Sequence, residues 1–114
     1  MAVKEGFKVL RKDGKRLRGA VFSRVCYRKR GRTIPLKGEG PLCVFKDEFS
    51  ASDFKRNEEG GLDDLVIYVV RYEPSRAKTV WKRRINGTVS HTRLCDLAPG
   101  KDLAKWVELV KEIQ

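Results

Sequence analysis

Leu65-Val66-Ile67-Tyr68-Val69-Val70, the start of a run that reaches Tyr72, is β-branched, aromatic and apolar on both of its alternating faces. Such a run predicts a strand covered on two sides, at the centre of a sheet, and Pro74 ends it because proline cannot donate to a ladder. Downstream, Ala77 to Ile85 and Thr88 to Leu94 are two extended runs joined by Asn86-Gly87. That dipeptide accepts the positive φ angles of a tight hairpin turn, so the two runs are expected to pair.

Upstream, Pro41 to Phe45 contains the compact apolar run Leu42-Cys43-Val44-Phe45, of buried-strand length. Ser50-Ala51-Ser52-Asp53 then fits a variant capping box, and Phe49 and Phe54 occupy the positions of a hydrophobic staple. Asn57, Gly60 and Gly61 close the helix, which is expected near residues 50–58. Phe7 to Leu10 reads as a strand that turns at Lys12-Asp13-Gly14-Lys15, and Gly19 to Tyr27 as a second strand, either largely buried on both sides or kinked partway. Thr33 to Leu36 suits a short edge strand, with Pro35, Gly38 and Gly40 preventing anything longer.

At the other end, Leu103, Trp106, Val107, Val110 and Ile113 recur at helical spacing after Pro99-Gly100. This predicts a C-terminal amphipathic helix near residues 101–113. The expected fold is therefore α+β, a single domain over residues 1–114. It has a mainly antiparallel sheet of about five to six short strands, one short helix and a closing helix.

The 114 residues carry 26 Lys and Arg against 15 Asp and Glu, a formal net charge of +11. Residues 1–46 hold 14 of the cations and only Glu5, Asp13 and Glu39 as anions, whereas the remainder is balanced. Asp47 to Asp64 is an acidic block and Arg71 to Arg93 a basic one. Charge of this size attracts anionic partners, with nucleic acid favoured. Scarcity of Asn, Gln and Met fits a second reading, a thermophile surface laced with ion pairs. Pairing alone leaves the excess positive charge uncompensated.

Two constellations could meet phosphates. Tyr27-Arg28-Lys29-Arg30-Gly31-Arg32 places four cations in an exposed loop, with Tyr27 either packed in the core or stacked on a base. Trp81-Lys82-Arg83-Arg84 alternates along a strand, so an inward Trp81 leaves Lys82 and Arg84 as an outward stripe that Arg93 can extend. Single-stranded or structured nucleic acid is expected rather than a specific duplex, since no basic recognition helix is visible. A protein-interaction accessory module, viral or host, and a small enzyme of unrecognised type are the alternatives.

Catalysis finds little footing. His91 is the only histidine, and Ser90 and Thr92 point to the opposite strand face from it. His91 and Cys95 share a face but lie roughly 13 Å apart along an extended chain. Cys26, Cys43 and Cys95 form no C-x-x-C pair and sit in apolar runs, where they are expected to act as small buried hydrophobes. The cysteine spacing and the single histidine argue against a metal site, and no phosphate-binding glycine motif occurs, so no metal and no cofactor is expected. Nor is there a secretory signal within Met1 to Leu10 or an apolar run of membrane-spanning length, which predicts a cytoplasmic chain without a membrane partner.

The succession Lys8-Val9-Leu10-Arg11, Gly40-Pro41-Leu42-Cys43-Val44-Phe45, Ala51 and Phe54 on a helix, and Val66 to Val70 resembles small uncharacterised domains of prokaryotic and phage genomes. The resemblance spans most of the chain and rests on apolar core positions plus one Gly-Pro turn. It implies no activity and assigns no functional residue.

Overall fold

The computed structural model describes residues 3–19, 25–37, 40–58, 65–83, 87–93 and 100–113. In these residues the chain forms β1 (Lys4–Asp13), β2 (Arg16–Gly19), β3 (Cys26–Tyr27), β4 (Arg32–Thr33) and β5 (Leu42–Phe45). Helix α1 (Glu48–Glu58) follows, then β6 (Leu65–Pro74), β7 (Thr79–Arg83), β8 (Val89–Arg93) and β9 (Lys101–Ile113).

Strand β6 is central as its composition requires, pairing antiparallel with β1 on one edge and β9 on the other. Strand β5 pairs with β9 and, at Phe7 opposite Phe45, with β1. The four strands therefore close a ring, β1–β6–β9–β5–β1, a small barrel with no free edge along the closed part. Strands β2 and β3 extend it from β1, and β4 extends it from β9.

Period-two alternation explains why β5 is buried throughout. Leu42 and Val44 point inward to a cluster with Leu10, Val70, Tyr72 and Val107. Phe45 points outward under α1 with Val9, Ala51, Ile67 and Phe54, and Cys43 lies under the β7–β8 hairpin with Val80 and Leu103. The two faces of one strand thus anchor three packing units.

The expected C-terminal helix is overturned: Lys101–Ile113 is strand β9, so the fold is predominantly antiparallel sheet with one helix among the described residues. Two bulges account for the misleading pattern. Against β6, the register skips Lys105 between Trp106 and Ala104 and skips Val110 between Lys111 and Leu109. Each extra residue shifts the inward phase, so Ala104 and Val107 share the inner cluster at a spacing of three. A doubly bulged strand therefore imitates helical periodicity. It is held as a strand because both of its edges are paired, by β6 on one side and by β5 and β4 on the other.

Two local expectations also change. Helix α1 starts at Glu48, and its cap is Asp47, whose Oδ1 accepts from the Ser50 amide at 2.7 Å while the Ser50 hydroxyl donates to Oδ2 at 3.1 Å. Phe49 is 75% exposed and makes no staple, whereas Phe54 packs on Phe45 with ring centroids 5.3 Å apart. Of the run Gly19 to Tyr27, Gly19 ends β2 and Cys26–Tyr27 form β3, which returns antiparallel along β2 with Leu17 opposite Tyr27, so the run is not one straight strand. The short edge strand expected over Thr33 to Leu36 is β4 at Arg32–Thr33, sharing only Thr33 with that span, and the hairpin is β7–β8, with Trp81 opposite His91. Asn86 lies outside the described residues; Gly87 has φ +87°.

Candidate functional site

The β1–β2 hairpin closes with only Gly14 and Lys15 between the paired Asp13 and Arg16. Gly14 takes φ +61°, which glycine adopts without steric cost. This tight turn projects Lys12, Lys15 and Arg16 from one end of the barrel. Because β3 runs back along β2, the loop that leaves Tyr27 arrives beside the same turn. Lys12, Lys15, Arg16 and Lys29 consequently line one groove of about 280 Å³, together with Tyr68 and Glu112. Lys12 pairs with Glu112 at 3.6 Å, and neighbouring Arg18 with Asp13 at 2.9 Å. Lys15, Arg16 and Lys29 have no carboxylate partner among the described residues.

The 28–32 loop is exposed along its whole length, as charge and Gly31 require. Gly31 takes φ +81°, and Thr33 Oγ1 accepts from the Arg28 amide at 2.9 Å. Arg32 diverges from Lys29: its guanidinium lies 4.0 Å from the centroid of the Trp106 ring. The indole nitrogen of Trp106 donates to Glu73 at 3.0 Å, and Lys105 pairs with Glu73 at 3.2 Å. Those two contacts hold the Glu73 carboxyl below the usual carboxylate range. Tyr27 is 6% exposed and belongs to the inner cluster, so its ring is not free to stack on a base. Burial pushes its phenol pKa up.

Trp81 packs against Gly40, where a Cβ would come within 2.5 Å of the indole. The basic stripe expected beside it falls outside the described residues, namely the side chains of Lys82 and Arg83 and the whole of Arg84. Cys43 is buried, Cys26 is exposed against expectation, and Cys95 is outside the described residues. His91 is exposed.

One further cation was not singled out by sequence reading. Lys8 lies on the inward face of β1 and is 8% exposed; its ammonium donates to the Cys43 carbonyl and sits 5.2 Å from the Tyr27 ring centroid. Desolvation pushes its pKa down to about 8, with like-charged Lys101 adding to the effect. The signal was a lysine flanked by Phe7, Val9 and Leu10 in an otherwise apolar run. Alternation places it with Leu10, on the same face as the core.

Among the described residues, no group of three His, Cys, Asp or Glu could hold a metal ion, and no helix is long and apolar enough to cross a membrane. Compared with family models, curated proteins and solved structures, the chain matches none.

Proposed function

We propose that the chain is a small non-catalytic basic module that binds nucleic acid, RNA or single-stranded or structured DNA, through phosphate contacts. The observation that carries this reading is the meeting of Lys15 and Arg16 from one turn with Lys29 from another loop, in one groove and without carboxylate partners among the described residues. A thermophile surface of mutually neutralised charges would have paired them. A groove of convergent, exposed cations instead presents the charge to a polyanion, whose bound counterions are released on contact.

Single strands are favoured over sequence-specific duplex DNA. Helix α1 carries an acidic cap and Glu48 in its first turn, and its last-turn cations Lys55 and Arg56 stand at the end remote from that terminus. A helix that reads the major groove brings its N-terminal residues to the bases, where Asp47 and Glu48 would repel phosphates. Fluorescence anisotropy of labelled RNA, single-stranded DNA and duplex DNA, titrated from about 25 to 200 mM salt, tests the reading. Binding of RNA or single strands that weakens steeply with salt is the expected result. No binding of any of the three at the lowest salt would refute it.

A further inference from the structure

The inner face of β1 carries Gly6, Lys8 and Leu10, so Lys8 enters the barrel between an absent side chain and a fully buried leucine. Its ammonium has three hydrogens to donate, and one goes to the Cys43 carbonyl. No carboxylate among the described residues pairs with it. A buried ion left without a counter-charge is costly, and an anion brought to it would recover part of that cost.

The space beside Lys8 has a definite character. Val25, Tyr27, Pro35, Leu36, Val80 and Trp81 supply largely apolar walls, and among the described residues Lys8 is the one charged residue lining the cleft. Trp81 is held there rigidly, because the Gly40 amide donates to its carbonyl at 2.7 Å and the missing Gly40 side chain lets the indole lie on the backbone. Leu36 stands at the mouth with 37% of its surface exposed, a large apolar side chain that the core does not use. The enclosed part of the cleft is about 20 Å³, room for a water-sized group.

We propose that this cleft binds a small apolar carboxylate, with its head group on the Lys8 ammonium and its body against Leu36, Pro35 and Trp81 at the mouth. A single cation at depth matches a single negative charge. Phosphate is larger and more strongly hydrated, and among the described residues Lys8 alone brings a charge to offset its desolvation here. A space of about 20 Å³ takes in a carboxylate oxygen but no ring, which places the apolar body where Leu36 is exposed. The site is separate from the cationic groove and does not depend on the nucleic-acid reading.

Benzoate is the probe, with benzamide as its neutral isostere and inorganic phosphate as the hydrophilic anion. Each is titrated into the intact chain while the Trp81 indole N–H resonance is followed by NMR. Benzoate should shift that resonance with a dissociation constant on the order of 1 to 10 mM, as befits so small a ligand. Benzamide and phosphate should not, and Lys8→Met should abolish the benzoate response. A groove variant lacking Lys15, Arg16 and Lys29 should retain it, which separates this site from general attraction to the basic surface. If Lys8→Met does not fold, Leu36→Asp takes its place, since it sets a like charge at an exposed mouth and should weaken benzoate at least fivefold. A benzoate response that is absent, matched by benzamide, or intact in both variants would overturn the proposal.

Discussion

Lys8 ties the stability of the barrel to pH, and the sign follows from where its proton is held. In the unfolded chain the amine stays charged to about pH 10.5, while in the folded chain burial lowers that to about 8. Below pH 8 both states are charged and the burial penalty is present in full. Between pH 8 and 10.5 the unfolded chain holds a proton that the folded one has released, so stability from this group rises with pH, by about 3 kcal/mol across the window. Tyr27 and Tyr72 act in the opposite sense above pH 10. Burial raises both phenols, and for Tyr72 the hydrogen bond to Asp102 adds to it, so the unfolded chain ionises first and stability falls. Urea unfolding should therefore show a stability maximum near pH 10. Lys8→Met should be more stable than the parent at pH 7 and lose the rise between pH 8 and 10. A parent curve that is flat across that interval would show that the ammonium is solvated in the folded state. Residue identity made Lys8 visible in the sequence, but its burial depended on a strand partner, β5, more than thirty residues away.

At the level of elements, what could be read from sequence was what local chemistry determines. Asp13-Gly14 closes the β1–β2 hairpin and Gly87 sits in the β7–β8 turn, because glycine supplies a positive φ that few other residues adopt. Leu65 to Val70 is legible because packing on both faces leaves a continuous apolar run. Strand β9 is not legible, since its bulges at Lys105 and Val110 are set by pairing with β6 and nothing local announces them. The helix start lies earlier than expected because Ser50 and Asp47 are both good caps, and the Asp47 carboxylate takes both the Ser50 amide and the Ser50 hydroxyl, just after the Lys46 amide bonds the Gly100 carbonyl at 2.8 Å. Asp47→Ala should thus cost about 1 kcal/mol in urea unfolding. Ser50→Ala should cost less, because it keeps the amide that Asp47 accepts. Gly100→Ala should exceed both: φ is +80° there, and a Cβ would meet the Ser50 side chain, forcing the cap apart. If Ser50→Ala proved the more damaging of the two cap variants, the helix would be capped at Ser50 after all.

Across the whole molecule, the excess charge belongs to residues 1–46, and the ring of strands determines where it is displayed. Only the adjacency of β2 and β3 brings Lys29 to Lys15 and Arg16. That adjacency is a tertiary fact, so the 28–32 loop was recognisable in the sequence as a cationic element while its partners in the groove were not. The distinction gives a test in which two triple variants differ. Lys15, Arg16 and Lys29 are exposed and carry no ion pair among the described residues, so replacing all three with Ala should leave stability within about 0.5 kcal/mol. If each neutralises one phosphate, the slope of log affinity against log salt should shrink by about 2 to 3, at roughly 0.7 to 0.9 per contact. Arg28, Arg30 and Arg32 make a different set, because Arg32 is engaged with Trp106 and its loss removes packing on β9 as well. Their replacement should lower stability measurably and change the slope less than the groove variant does. A larger slope change from the loop set would move the phosphate path off the groove and along the outer rim of the loop. Equal affinities and equal slopes in both variants and the parent would mean that the charge of neither segment meets the ligand.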